Sequence, residues 1–96
     1  MPRPLNSVVG VAGGNNTVNL TGSQLLKTGE GSVIGIFVAS SSSGTIKLWD
    51  STAASGAVVV NTFSAVAATW YPLPFYFYNG LYITIAGTID CSVSFN

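Results

Sequence analysis

The chain has 96 residues, enough for one core and too few for a second. Hydrophobic residues make up 48% of it, but only six side chains are charged: Arg3, Lys27, Lys47, Glu30, Asp50 and Asp90. Three basic residues cannot make a phosphate-tracking stripe to bind nucleic acid, and zero net charge leaves little electrostatic repulsion to keep copies apart.

Residues 1–7 read as an extended arm, with Pro2 and Pro4. Residues 8–96 read as one domain. No sustained helical periodicity appears. Short β-rich runs alternate with Gly, Ser and Asn punctuation, the rhythm of an antiparallel sandwich or barrel. Strands are predicted over 8–11, 17–20 and 25–28, with turns at Gly13-Gly14-Asn15-Asn16 and Gly29-Glu30-Gly31. The run 32–39 is apolar on both phases and is expected to be covered on both faces. The Ser-rich segment 40–44 is read as a hairpin loop before a strand over 45–50. Residues 51–56 form a small-residue turn before a Val-rich strand over 57–64.

The strand over 70–78 has two distinct faces. Tyr71, Leu73, Phe75 and Phe77 share one, and Trp70, Pro72, Pro74, Tyr76 and Tyr78 share the other. Pro72 and Pro74 both remove backbone donors, which places this strand at a sheet edge. Asn79-Gly80 is a two-residue hairpin signal. Leu81, Ile83 and Ile85 then point inward, with Tyr82 and Thr84 outward. Gly87-Thr88 turns the chain into a last strand over 90–96. The expected fold is an all-β antiparallel sandwich of seven or eight strands, jelly-roll-like.

Reactive chemistry has little to work with. Histidine is absent, so no imidazole can activate a nucleophile. Cys91 shares its phase with Val93 and Phe95 and reads as a small buried hydrophobe. Glu30, Asp50 and Asp90 lie at or near turns and read as turn chemistry, with no calcium-loop pattern around them. No catalytic residue, metal or cofactor is expected. The most apolar stretch, 63–78, contains two prolines and is too short for a spanning helix, and no basic amphipathic segment offers a membrane contact. No apolar signal-peptide centre is present, so synthesis in a cytoplasm without secretory export is expected.

Trp49, Trp70, Tyr76, Tyr78 and Tyr82 all fall opposite the expected core phase. They are five of the eleven aromatics. Trp and Tyr are the usual anchors of interfaces, and contiguous exposed rings mark contact sites. These five side chains, with Arg3 and Leu5 on the arm, form the expected assembly interface.

Two segments carry a family resemblance. GSVIGIFVASSSSGTIKLWDS and NGLYITIAGTIDCSVSF resemble the small β-sandwich structural proteins of tailed phages, over about two-thirds of the chain. The resemblance implies a capsid cement or decoration subunit. Such a protein is a homo-oligomer, often a trimer, that binds major capsid protein or other virion subunits on the outer surface of the capsid. A different class of function, a tail or head-fibre adhesin or carbohydrate-binding module, would use the same exposed rings to stack on sugars.

Overall fold

The computed structural model describes residues 14–96. The expected arm over 1–7, with Arg3 and Leu5, and the expected strand over 8–11 lie outside the described residues. Six strands form a single antiparallel sheet: β1 (Asn16–Leu20), β2 (Gln24–Thr28), β3 (Gly31–Asp50), β4 (Ala57–Ser64), β5 (Thr69–Phe77) and β6 (Gly80–Phe95). No helix occurs among the described residues. The all-β expectation is therefore met.

Two long strands organise everything else. β3 and β6 pair along almost their whole lengths, from Val33 opposite Phe95 to Trp49 opposite Tyr82. β1 adds to the C-terminal part of β6 and β2 to its N-terminal part. On the other side, β5 adds to the N-terminal part of β3 and β4 to its C-terminal part. The sheet thus has two halves, β1-β6-β3-β5 and β2-β6-β3-β4, joined through the middles of β3 and β6.

The two halves fold over each other. A straight strand of 20 residues would span roughly 65 Å, yet the longest dimension of the described residues is 43 Å. The ends of β3 also meet the same short piece of chain. Phe77 pairs with Gly31 at its start, and the amides of Tyr78 and Asn79 donate to the Asp50 carboxylate at its end. The fold lies where the register shifts between Ser42 and Thr45, so that Ser43 and Gly44 of β3 stand against Gly87 of β6. Ser43 has φ 52° and Gly87 φ 78°, both left-handed. Bulges of this kind bend a strand without ending its pairing.

This bend corrects two expectations. Residues 40–44 are not a hairpin loop, and Gly87-Thr88 does not start a new strand; both lie inside continuous strands. Four expected strands become two, which is why six strands are seen instead of seven or eight. Ser and Gly supplied the permissive backbone, but it was spent on folding the ribbon.

Asn79-Gly80 is also corrected. β5 and β6 are not paired with each other; each pairs with β3, on opposite sides. The connection carries the chain from one half of the sheet to the other. So do the links β1–β2, β2–β3 and β4–β5, leaving β3–β4 as the hairpin between consecutive strands.

The apolar inner surfaces close on each other as one cluster. Val33, Ile36, Val38, Cys91, Val93 and Phe95 come from the first half, and Ile46, Leu48, Leu81 and Ile83 from the second, with Leu20, Phe77 and Ile89 among them. The expected phases of Leu81, Ile83, Cys91, Val93 and Phe95 hold. On β3 the expectation of two covered faces fails. A bulge between Val33 and Gly35 shifts the phase, so Val33, Ile36 and Val38 point inward and Phe37 is left 43% exposed. β5 is an edge strand, as its prolines required, paired with β3 alone.

Asp50 fastens the free ends of the two halves. Its carboxylate accepts from Tyr78 N at 3.0 Å and Asn79 N at 2.7 Å. Partial desolvation works against its charge, but these backbone donors together outweigh that effect and hold its pKa below the ordinary value of 3.8. A depressed carboxyl pKa contributes stability above the unfolded value, and that contribution is lost as pH falls through the folded one. Wild-type protein is expected to lose stability below about pH 4, and Asp50→Asn to lose less over the same interval. At pH 7 the variant should cost about 1 kcal/mol, since water competes for these exposed bonds. Urea titrations of both proteins at pH 7 and pH 3 test this; an equal acid loss in both would remove Asp50 from the account.

Candidate assembly surface

The groups that could have carried chemistry have structural occupations. Cys91 is fully buried, opposite Val38 and Leu20. Burial, then the neighbouring Asp90 charge, pushes its thiol up to about 11, so it stays protonated at neutral pH. Asp90 accepts from Asn19 Nδ2 at 2.9 Å, tying β1 to β6. Among the described residues no group of three or more His, Cys, Asp or Glu side chains is placed to hold a metal ion, and no pocket opens.

The outer face of the sheet carries the expected aromatic residues, but the bend divides them into two groups. On the second half, Trp49 and Tyr82 are direct cross-strand partners. Leu25 stands opposite Tyr82 and Val58 opposite Trp49, so an apolar row crosses all four strands. The Trp49 ring is fixed in place. Its Nε1 donates to Thr84 Oγ1 at 2.9 Å, and Lys47 Nζ lies 4.1 Å from the ring centroid. Trp49 and Tyr82 are half-buried by these neighbours, while Leu25 and Val58 are exposed.

On the first half the rings are freer. Trp70 pairs directly with Phe37 across the β3–β5 ladder, and both are largely exposed. The Trp70 ring covers Gly35, where a Cβ would stand 2.6 Å from its Cζ2. A Cβ at 35 would also stand 2.6 Å from the Tyr71 carbonyl oxygen, a backbone atom of the paired strand, so this close approach requires glycine. Tyr76, opposite Ser32, meets Tyr78 edge-on with ring centroids 4.8 Å apart. A hydrogen bond with Glu30, then partial desolvation and the Glu30 charge, raises the Tyr76 phenol above its ordinary pKa. Tyr78 is 70% exposed.

The structure therefore brings Trp70, Tyr76 and Tyr78 to one surface and puts Trp49 and Tyr82 on another. Sequence reasoning missed Phe37, whose outward phase depends on the bulge at Ile34. It also missed Phe75, placed inward by alternation but 45% exposed at the open rim of the edge strand. The pairs Leu25–Tyr82 and Trp49–Val58 had no local signal, because they depend on which strands become neighbours. Comparison with known proteins finds no matching family model, no matching curated protein and no matching solved structure.

Proposed function

We propose that this chain is a structural virion protein: a capsid cement or decoration subunit that binds the phage shell as a homo-oligomer and stabilises it. The observation that carries the assembly reading is the Phe37–Trp70–Tyr76–Tyr78 surface, large rings left in water on a sheet with almost no charge. The phage and capsid reading draws on the likeness of the two quoted segments to tailed-phage proteins. In this reading the folded sheet is a jelly-roll-like sandwich. The partner is major capsid protein or another virion subunit, the oligomer is a trimer, and the place is the outer capsid surface. No nucleic acid, membrane, cofactor or catalysis takes part. A subunit that binds the assembled shell but not its dissociated parts stabilises the shell by mass action, and many equivalent contacts add avidity.

The test adds purified protein to undecorated shells and follows co-sedimentation and the temperature of shell disruption. Binding with a raised disruption temperature is expected; absence of binding at micromolar protein overturns the reading.

One observation favours a second reading, an adhesin or carbohydrate-binding module. Trp49 is held rigid by Thr84 and Lys47, and a preset ring loses little entropy when it stacks on a sugar. A glycan array with wild type, Trp49→Ala and Trp70→Ala separates the two. Sugar binding lost in a variant whose mass in solution is unchanged would favour the adhesin.

A further inference from the structure

We infer that the outer face of β5 and the adjoining part of β3 is the surface on which a second copy of this chain packs, through side chains and not by strand addition. This deepens the assembly reading by naming one partner and its place of contact.

β5, TWYPLPFYF, has one sheet neighbour and no charged residue. An open apolar edge is ordinarily a template for pairing with another chain, and proteins guard such edges with lysine, proline or bulges. Here lysine is absent from the strand, and the guard is Pro72 and Pro74. The ladder to β3 also slips between Phe75 and Pro72, so the strand is bulged where its donors are missing. Backbone pairing along this edge is thus blocked. The side chains are not guarded at all. Trp70, Pro72, Pro74, Tyr76 and Tyr78 are all exposed, and Phe37 lies beside Trp70.

The size of the surface fits a partner of this kind. Four rings, each leaving roughly half of about 200 Å² in water, offer on the order of 400 Å². The two prolines, Phe75 at the rim and the strand between them bring it toward the roughly 800 Å² per partner of an ordinary specific interface. The neighbouring strands supply a polar border: Thr17, Asn19, Ser92 and Ser94 lie on β1 and β6. Charge selects the occupant. β5 itself carries no charge, and among the described residues the ionised groups hydrogen-bonded at its end are carboxylates already engaged within the chain, Glu30 at the Tyr76 hydroxyl and Asp50 at the Tyr78 amide. A strongly acidic partner would find no cation on that strand, and a strongly basic one only those two engaged carboxylates, whereas a second copy of zero net charge brings an identical apolar surface and little repulsion.

The test is the mass of the full chain in solution, by sedimentation equilibrium from about 1 to 100 μM. Three proteins are compared: wild type, the outward double variant Phe37→Ser/Trp70→Ser, and Trp49→Ser as a control on the other half. Circular dichroism verifies the sheet in each. Wild type and the control are expected to self-associate, with at least a tenfold rise in dissociation constant for the double variant. A monomeric wild type at 100 μM overturns the inference, as does a folded double variant that associates as wild type does. If the double variant does not fold, Tyr76→Ser/Tyr78→Ser at the strand end replaces it, with the same expectations. Shell binding by a monomeric wild type would sink this inference and the homo-oligomer part of the cement reading, and leave its shell-binding part standing. An oligomer dispersed by the double variant, yet inert toward shells, would do the reverse.

Discussion

Phe77→Ala is expected to destabilise the protein by about 3–5 kcal/mol. Phe77 is the largest fully buried side chain, and it belongs to an edge strand. It sits at the last residue of β5, just before the chain crosses to the other half of the sheet, and opposite Gly31. The void left by alanine cannot close easily. The next residues are held to Asp50, Leu81 is fixed by pairing with β2, and Ile83 by pairing with both β2 and β3. A domain of this size commonly has 5–15 kcal/mol of stability in all, and each kcal/mol moves Tm by about 4–8 °C. A fall in Tm of about 12 °C or more is therefore expected. Trp70→Ala, on the same strand but outward and 48% exposed, should cost far less. Differential scanning calorimetry of the two variants makes the comparison. Equal losses would mean that the alternation along β5 does not separate core from surface.

Gly87→Val is the second large effect, and it acts through backbone. Gly87 has φ 78°, a conformation costly for any residue with a Cβ and worst for a β-branched one. Its added Cβ would stand 2.5 Å from Ser43 O and 2.9 Å from Gly44 Cα, both backbone atoms of the facing strand. Neither can yield without opening the register shift that folds β3 and β6 together. A loss of roughly 3 kcal/mol or more is expected, since strain and overpacking add. Gly22→Ala is the comparison: nothing lies within 4 Å of a Cβ there, so its effect should be small. Chemical denaturation of both variants reads the difference. A wild-type-like Gly87→Val would mean that the bend is a pliable loop and not a fixed corner.

The bend explains how a short chain with a single sheet buries so much. A sheet without helices has one surface available to cover its apolar face, namely its own. The ribbon of β3 and β6 makes this cheap in chain length, because both strands turn at the same level and neither loses its ladder. Each short connection that crosses between the halves then closes the fold a little further. Asp50 and Phe77 stand where that closure is completed, one through hydrogen bonds and the other through volume.

Much of this was legible in the residues. Alternation placed Leu81, Ile83, Cys91, Val93 and Phe95 inward, because a two-residue period in a strand has only two faces to choose from. Pro72 and Pro74 gave the edge, since a missing donor cannot be hidden inside a sheet. Asp50 read as turn chemistry and serves that role, although the amides it accepts from are 28 and 29 residues away.

What the sequence by itself determined was β structure, inner phase and the lack of charge or histidine for chemistry. Tertiary structure decided which strands became neighbours, and with that the meaning of every turn signal. Ser43 and Gly87 take left-handed backbone, but the same φ serves a hairpin or a bent ribbon, and only the partner strand distinguishes them. Asn79-Gly80 announces a reversal without saying which strand it leads to. One bulge at Ile34 turned Phe37 from core to surface, because a single extra residue exchanges the two faces of a strand. The grouping of the aromatic residues into two separate surfaces followed from the bend, whose position is set by packing across the sheet and not by any local pattern.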